Sequence, residues 1–303
     1  MTITVLVPDD DGVAALSEVA GVRPVRYSLD EPLPAEAAEA EVLIPGARAA
    51  DVLPLLEKTP RLRLIQLLSA GAEDWTGVLP EGVLLSTCRG AHGGSTAEWV
   101  MAVLLSWCRR LPEFAEAQRA RRWSRLVSDT LQGKRVLIVG AGDLGQQLRR
   151  RLEPFDAWVT MVGLSARDDI HGVEKLPALL PEADVVVLLV PLTTRTRGMV
   201  DAKFLASLPD GALLVNASRG PVVDTAALLA ELESGRLEAA LDVTDPEPLP
   251  EDHPLWGLPN VVITPHVGGA VVDARRRSYV VAAAEIGRYV RGELPNNLVR
   301  GEY

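Results

Sequence analysis

The sequence predicts an α/β protein built on doubly wound parallel sheets, and three observations lead there. Short runs of Val, Leu and Ile alternate with helical stretches along the chain, the pattern of repeated strand–helix–strand units. In the second half these runs are continuous rather than alternately polar, as suits strands buried on both faces. A glycine-rich turn, Gly140-Ala141-Gly142-Asp143-Leu144-Gly145, stands between one such run and a helix. With 303 residues the chain is long for one core, so two domains are expected.

The elements follow in order. In the first part, strands are predicted over Ile3–Val7, Val22–Tyr27, Glu41–Ile44, Leu62–Leu68 and Val83–Ser86, with a helix over Ala49–Glu57. Ser95 with Glu98 three residues on reads as a capping box opening the long helix of "WVMAVLLSWCRRL". The basic cluster Arg119 to Arg125 is expected on a helix, as a solvated or subunit-facing surface. From Lys134 the alternation is more regular, with strands predicted over Arg135–Val139, Trp158–Val162, Val185–Val190, Leu213–Asn216 and Ala239–Val243. The apolar run Val261-Val262-Ile263 and a last helix, Val271–Tyr289, follow.

Composition narrows the class. Hydrophobic residues make up 48% and charged residues 24%, an ordinary soluble balance, with a net charge of −10. No Lys/Arg-rich block supplies a basic face, which argues against general binding to nucleic acid or acidic membranes. Cys88 and Cys108 have neither metal-ligand nor disulfide spacing. The segment "MTITVLVPDD" lacks a signal-peptide pattern and charges interrupt every apolar run, so a cytoplasmic protein is expected.

The glycine turn carries the first chemistry. Its spacing matches G-x-G-x-x-G: Gly140 for the tight turn, Gly142 for close approach of a pyrophosphate, Gly145 for helix–strand packing. Backbone N–H groups and the positive end of the helix dipole would then hold phosphates. A purely structural turn is the bland alternative, but the alternating strands around it favour dinucleotide binding. The next strand ends at Gly163 without the carboxylate that usually binds an NAD ribose. Ser165 and Arg167 stand there instead, so NADP(H) is favoured. NAD(H) stays possible, because a one-turn shift would bring Asp168 or Asp169 to the tip.

Three further groups fall at later strand ends, the edge where open parallel sheets bind ligands. Arg219 follows "LLVN", Asp242 ends the next run with Glu247 in a Pro-bracketed loop, and His266 follows "VVITP" as one of only four histidines. Hydride transfer to a 2-oxo acid needs an Arg to anchor the carboxylate, an acid to protonate the alkoxide and a carboxylate to orient that acid. Arg219, His266 and Glu247 fit these roles. Singly, each has a bland alternative: a turn-bonding Arg, a surface acid, a strand-capping His.

At this point the chain resembles the D-isomer-specific 2-hydroxyacid dehydrogenases, glyoxylate/hydroxypyruvate reductase-like members above all. The matching stretches are "LLSAGAEDW", "VGAGDLG", "PLTTRTRGMV", "VNASRGPVVD", "ALDVTDPEPLP" and "HPLWGLPNVVITPHVGG". The resemblance implies Arg219, Glu247 and His266 as the catalytic set and Ser69-Ala70-Gly71 as a backbone clamp for the substrate carboxylate. It implies cofactor contacts at Asp143, Leu144, Pro191, Thr196, Ala217, Asp242 and Gly268 besides the three glycines. It also implies two Rossmann-like domains: a dinucleotide-binding domain, residues 96–270, inserted into a flavodoxin-like substrate domain of residues 1–95 and 271–303. A homodimer through the helix from Ser95 is expected, with no metal. The chain's end at Tyr303 leaves no extension for a regulatory domain, which argues against a long-form phosphoglycerate dehydrogenase. The rival class is a dinucleotide-sensing corepressor-like protein; short phosphoglycerate and formate dehydrogenases are further alternatives. Trp75, Met101 and Trp123 are candidates to line the substrate pocket, with core or interface packing as the alternative for each.

Overall fold

A computed structural model describes residues 2–301. The chain divides into two units, residues 1–92 with 272–303, and residues 93–271. Among the described residues no helix is long and apolar enough to cross a membrane.

The first unit holds five parallel strands: β1 (Ile3–Val7), β2 (Val22–Arg26), β3 (Ala40–Leu43), β4 (Leu64–Gln66) and β5 (Leu84–Ser86). Their spatial order is β2-β1-β3-β4-β5. β2 contains Pro24, which cannot donate to a ladder, and accordingly lies at the sheet edge. β1 is buried along its whole length. Leu16, Tyr279, Ala282 and Ile286 cover one face, the last three from the closing helix Ala274–Val290.

The second unit holds seven: β6 (Arg135–Val139), β7 (Trp158–Gly163), β8 (His171–Gly172), β9 (Val185–Leu188), β10 (Leu213–Asn216), β11 (Glu238–Leu241) and β12 (Val261–Ile263). Their order is β12-β11-β10-β9-β6-β7-β8, every pairing parallel. β9 and β10 are fully buried, as their unbroken Val/Leu composition demands. Both sheets are therefore doubly wound α/β layers.

Local differences from the sequence reading have identifiable causes. The helix expected over Ala49–Glu57 is α-helical only through Val52; Pro54 cannot donate a backbone hydrogen bond, and a 3-10 segment, Leu53–Lys58, follows. The long helix starts at Gly93, not after Ser95, so Ser95 is its third residue, buried, and the capping box does not form. Glu98 instead pairs with Arg151 at 3.3 Å. The basic cluster is not helical: helix Leu111–Arg119 ends there, and Arg121 takes φ +53°. The two-residue β8 was too short to show any periodicity.

Candidate active site

The turn after β6 has the conformation its glycines were expected to serve. Gly140 lies at φ +123°, and a Cβ there would stand 2.4 Å from the Leu189 carbonyl oxygen. A Cβ on Gly145 would overlap the Gly140 carbonyl, so only glycine lets the helix approach the strand this closely. A Cβ on Gly142 would meet nothing within 4 Å, which leaves open space over the turn. Gly142 caps helix Asp143–Leu152 without any side-chain hydrogen bond to the first-turn amides. Open space over uncapped N–H groups at a helix N-terminus fits an anionic pyrophosphate.

Of the side chains expected at this turn, Asp143 turns aside. Its buried Oδ2 lies where a Cβ of Gly93 would be, and Oδ1 receives a 3.5 Å hydrogen bond from Gln147. Asp143 and Leu144 can thus offer backbone amides, while the Asp143 carboxylate is turned towards Gly93 of the long helix, its Oδ2 buried without a hydrogen-bond partner among the described residues. Arg167 comes back to the turn, its Nη2 donating to the Ala141 carbonyl at 2.9 Å. Asp169 is drawn the other way by Arg149, which holds its carboxyl below the usual range through a hydrogen bond. Asp168 sits in the left-handed region at φ +47°. Ser165 is exposed beyond the tip of β7.

After β9, Thr196 Oγ1 donates to the Pro191 carbonyl at 2.6 Å and closes a compact loop. After β10, buried Asn216 organises the Arg219 turn. Its Oδ1 accepts from the Ser218 amide at 3.0 Å and the Ser218 hydroxyl at 2.7 Å, and its Nδ2 donates to the Arg219 carbonyl at 3.1 Å. Ala217 is buried within this turn. A Cβ on Gly220 would collide with the Thr244 carbonyl, so the Arg219 turn packs directly on the loop that carries Glu247. Thr225 Oγ1 pins that loop through the Asp245 carbonyl at 2.9 Å.

His266 and Glu247 meet. His266 Nδ1 lies 2.8 Å from Glu247 Oε1, with both side chains nearly half exposed. A carboxylate at that distance selects the tautomer with the proton on Nδ1 and leaves Nε2 without a hydrogen-bond partner among the described residues. His266 itself stands at φ +54°, a conformation costing a non-glycine residue on the order of 1 kcal/mol.

Asp242 holds this conformation. Its carbonyl accepts the His266 amide at 2.7 Å; its Oδ1 accepts from Thr264 Oγ1 at 2.6 Å and the Val267 amide at 2.9 Å; its Oδ2 accepts from Gly268 at 2.8 Å. Gly268 is needed there, because a Cβ would stand 2.9 Å from that oxygen. Buried Asp242 therefore anchors the histidine loop, whatever else it does at a bound cofactor. Asn216, Thr225 and Thr264 escaped the sequence reading. Only Asn216 left a signal, a polar residue ending a wholly apolar strand.

In the first unit, Ser69 Oγ donates to the Gly71 carbonyl at 2.7 Å, while the Ser69 carbonyl accepts from Cys88 at 2.8 Å. The Ser69-Ala70-Gly71 turn sits just beyond β4. Trp75 lines a cavity beside it, Met101 is a core residue, and Trp123 is 96% exposed. Among the described residues no cluster of three His, Cys, Asp or Glu could hold a metal ion.

The fold and this constellation fit a dinucleotide-dependent oxidoreductase, with a histidine–carboxylate pair at its strand tips. A profile of the NAD-binding domain of D-isomer specific 2-hydroxyacid dehydrogenases matches residues 101–268. The chain is 32% identical over 263 residues to a glyoxylate reductase of Thermofilum pendens, covering 82% of this chain and 78% of that one. It superposes with TM-score 0.85 and 31% identity on a D-isomer specific 2-hydroxyacid dehydrogenase of Xanthobacter autotrophicus Py2 in complex with NADPH and MES, over 99% and 98% of the two chains. An NADPH-dependent glyoxylate/hydroxypyruvate reductase of Sinorhizobium meliloti, in complex with NADP and sulfate, gives TM-score 0.84 at 26% identity, over 99% and 98%. The chain belongs to the D-isomer specific 2-hydroxyacid dehydrogenase family. It is an NAD(P)-dependent oxidoreductase of small 2-hydroxy acids.

Proposed function

We propose that this protein reduces glyoxylate, hydroxypyruvate or a related small 2-oxo acid to the D-2-hydroxy acid, with NADPH preferred. The observation that carries the reading is the His266–Glu247 pair, one strand tip from the Arg219 turn in the sheet that bears the phosphate cradle. The bound nicotinamide supplies the hydride. His266 Nε2 delivers the proton to the substrate oxygen, and Glu247 balances the imidazolium charge from Nδ1. Arg219 grips the carboxylate and polarises the carbonyl, and the backbone of Ser69-Ala70-Gly71 is the carboxylate clamp that the family resemblance implies. Gly140, Gly142 and Gly145 admit the pyrophosphate, with Pro191, Thr196, Ala217 and Gly268 shaping the rest of the cofactor's bed.

The preference for NADPH rests on the missing acid at Gly163, on Asp169 being engaged by Arg149, and on Arg167 standing beside the cradle. The homodimer expected from the long helix gains support from the segment after it, where Trp123 and Val127 are 96% and 93% exposed. Apolar groups so exposed are commonly buried by a partner. The acidic composition supports small-molecule rather than nucleic-acid chemistry, and a cytoplasmic location is proposed with it. These remain parts of the same proposal.

The test is steady-state reduction of glyoxylate and hydroxypyruvate by the purified protein with each cofactor, wild type beside Arg219→Ala. The variant should raise KM and lower kcat together, since the pair acts in ground and transition states. Near-normal kcat/KM in Arg219→Ala would remove it from the site. A dinucleotide-binding protein with no turnover on any 2-oxo acid would favour the sensor reading.

A further inference from the structure

The first unit holds a cavity of about 390 Å3, within the roughly 300–1,000 Å3 of small-molecule sites. It opens past the carboxyl ends of the adjacent strands β3 and β4. The switch point of this sheet lies one strand over, between β1 and β3, and this carboxyl edge is the one at which open parallel sheets bind ligands. Ser69 and Gly71 of the proposed carboxylate clamp form part of its wall. A two-carbon oxo acid held at that clamp would leave most of such a volume unfilled.

The remaining wall carries two arginines, Arg48 and Arg275, and two acids, Glu73 and Asp74. Arg48 follows β3, is exposed, and pairs with no carboxylate among the described residues. Arg275, in the first turn of helix Ala274–Val290, is fixed from behind. Its Nη2 pairs with Asp9 Oδ2, and its guanidinium lies 5.7 Å from the centre of the Tyr279 ring. Asp9 is in turn held by the Tyr279 hydroxyl and the Gly12 amide, each at 2.8 Å. One guanidinium nitrogen is thereby used, and the others keep donor capacity. The two acids, Glu73 and Asp74, lie on one short turn.

We propose that Arg48, supported by Arg275, makes this cavity the receptor for a second anionic group, a carboxylate or phosphate at the far end of the 2-oxo acid substrate. The inference rests on the 2-oxo acid reading above and names the substrate class within it. Arg48 is the contact that sets specificity. Arg275, neutralised in part by Asp9, supplies a positioned second donor.

The experiment compares kcat/KM for charged and neutral substrates of matched length. 2-Oxoglutarate against 2-oxopentanoate tests a distal carboxylate, and phosphohydroxypyruvate against hydroxypyruvate tests a phosphate. Wild type should favour the dianion in at least one pair by roughly tenfold, the worth of one partly screened charge-assisted contact. Arg48→Gln should abolish that preference, Arg48→Lys should restore part of it, and Asp74→Asn should enlarge it. Glyoxylate reduction should be unchanged in all three, which excludes misfolding. Equal or better use of the neutral partner in both pairs overturns the proposal, as does a preference that survives Arg48→Gln. Absence of turnover with every oxo acid would sink the parent reading instead. Calorimetric titration with glutarate against pentanoate then decides the cavity alone: tighter glutarate binding lost in Arg48→Gln sustains it, and equal binding refutes it.

Discussion

Arg167 donates from Nη2 to the Ala141 carbonyl at 2.9 Å, so the cation that follows β7 is held against the turn that follows β6. The two tips are neighbours because β6 and β7 pair along their full length. A ribose phosphate beside this turn would find a guanidinium and no competing acid from Asp169, which Arg149 occupies.

Arg167→Ala should therefore weaken NADPH by roughly tenfold or more and leave NADH nearly unchanged. The measurement is kcat/KM for both cofactors at one ionic strength, since salt screens such contacts. Equal loss of both would assign Arg167 to supporting the turn through Ala141 rather than to recognising a phosphate.

Proton transfer is tested at the His266–Glu247 pair. His266→Ala should lower kcat for reduction by about 10²- to 10⁴-fold while NADPH affinity persists. Glu247→Gln keeps a hydrogen-bond partner for Nδ1 but removes the balancing charge, so its loss should be smaller and fall on kcat. In the wild type, reduction should slow and oxidation quicken as pH rises, because one direction uses the protonated ring and the other the neutral ring. Parallel pH profiles in the two directions would remove His266 as the acid.

Asp242→Ala should both destabilise and inactivate. It strands the Val267 and Gly268 amides and the Thr264 hydroxyl, and an unsatisfied buried donor costs about 1–3 kcal/mol. With its anchors gone, His266 has little to hold it at φ +54°. Thr264→Val, which removes one donor together with its need, should cost far less. Urea denaturation and kcat measured on both variants check the order. Full activity in a destabilised Asp242→Ala would separate the loop from the chemistry.

The two thiols should be silent. Burial pushes Cys88 up to about 12 and Cys108 up to about 11, the latter raised further by Asp129. At pH 8 the thiolate fraction is then on the order of one in a thousand or less, and the thiolate is the reactive species. Native protein should resist a chromogenic disulfide reagent, both thiols reacting only in denaturant. Rapid labelling with loss of activity would mean that one of them is accessible from the site.

The sequence by itself determined the strands other than the two-residue β8, the sheet class and the side chains at the strand ends. Buried parallel strands must be continuously apolar, and a pyrophosphate turn admits little but glycine, so both leave marks in composition and spacing. Arg219, Glu247 and His266 stood out in the sequence because a charged residue just past an apolar run has few structural reasons to be there. What the tertiary structure decided was how those residues are aimed. That Glu247 reaches His266 across 19 positions depends on β11 and β12 pairing in register. That Asp169 turns to Arg149, and Asp143 to Gly93, depends on helices whose mutual packing no local pattern encodes. The capping box failed for the same reason: Ser95 and Glu98 have the right spacing, but the helix begins two residues earlier, buries the serine and turns the glutamate to Arg151. Local chemistry chose the residues, and long-range packing chose their partners.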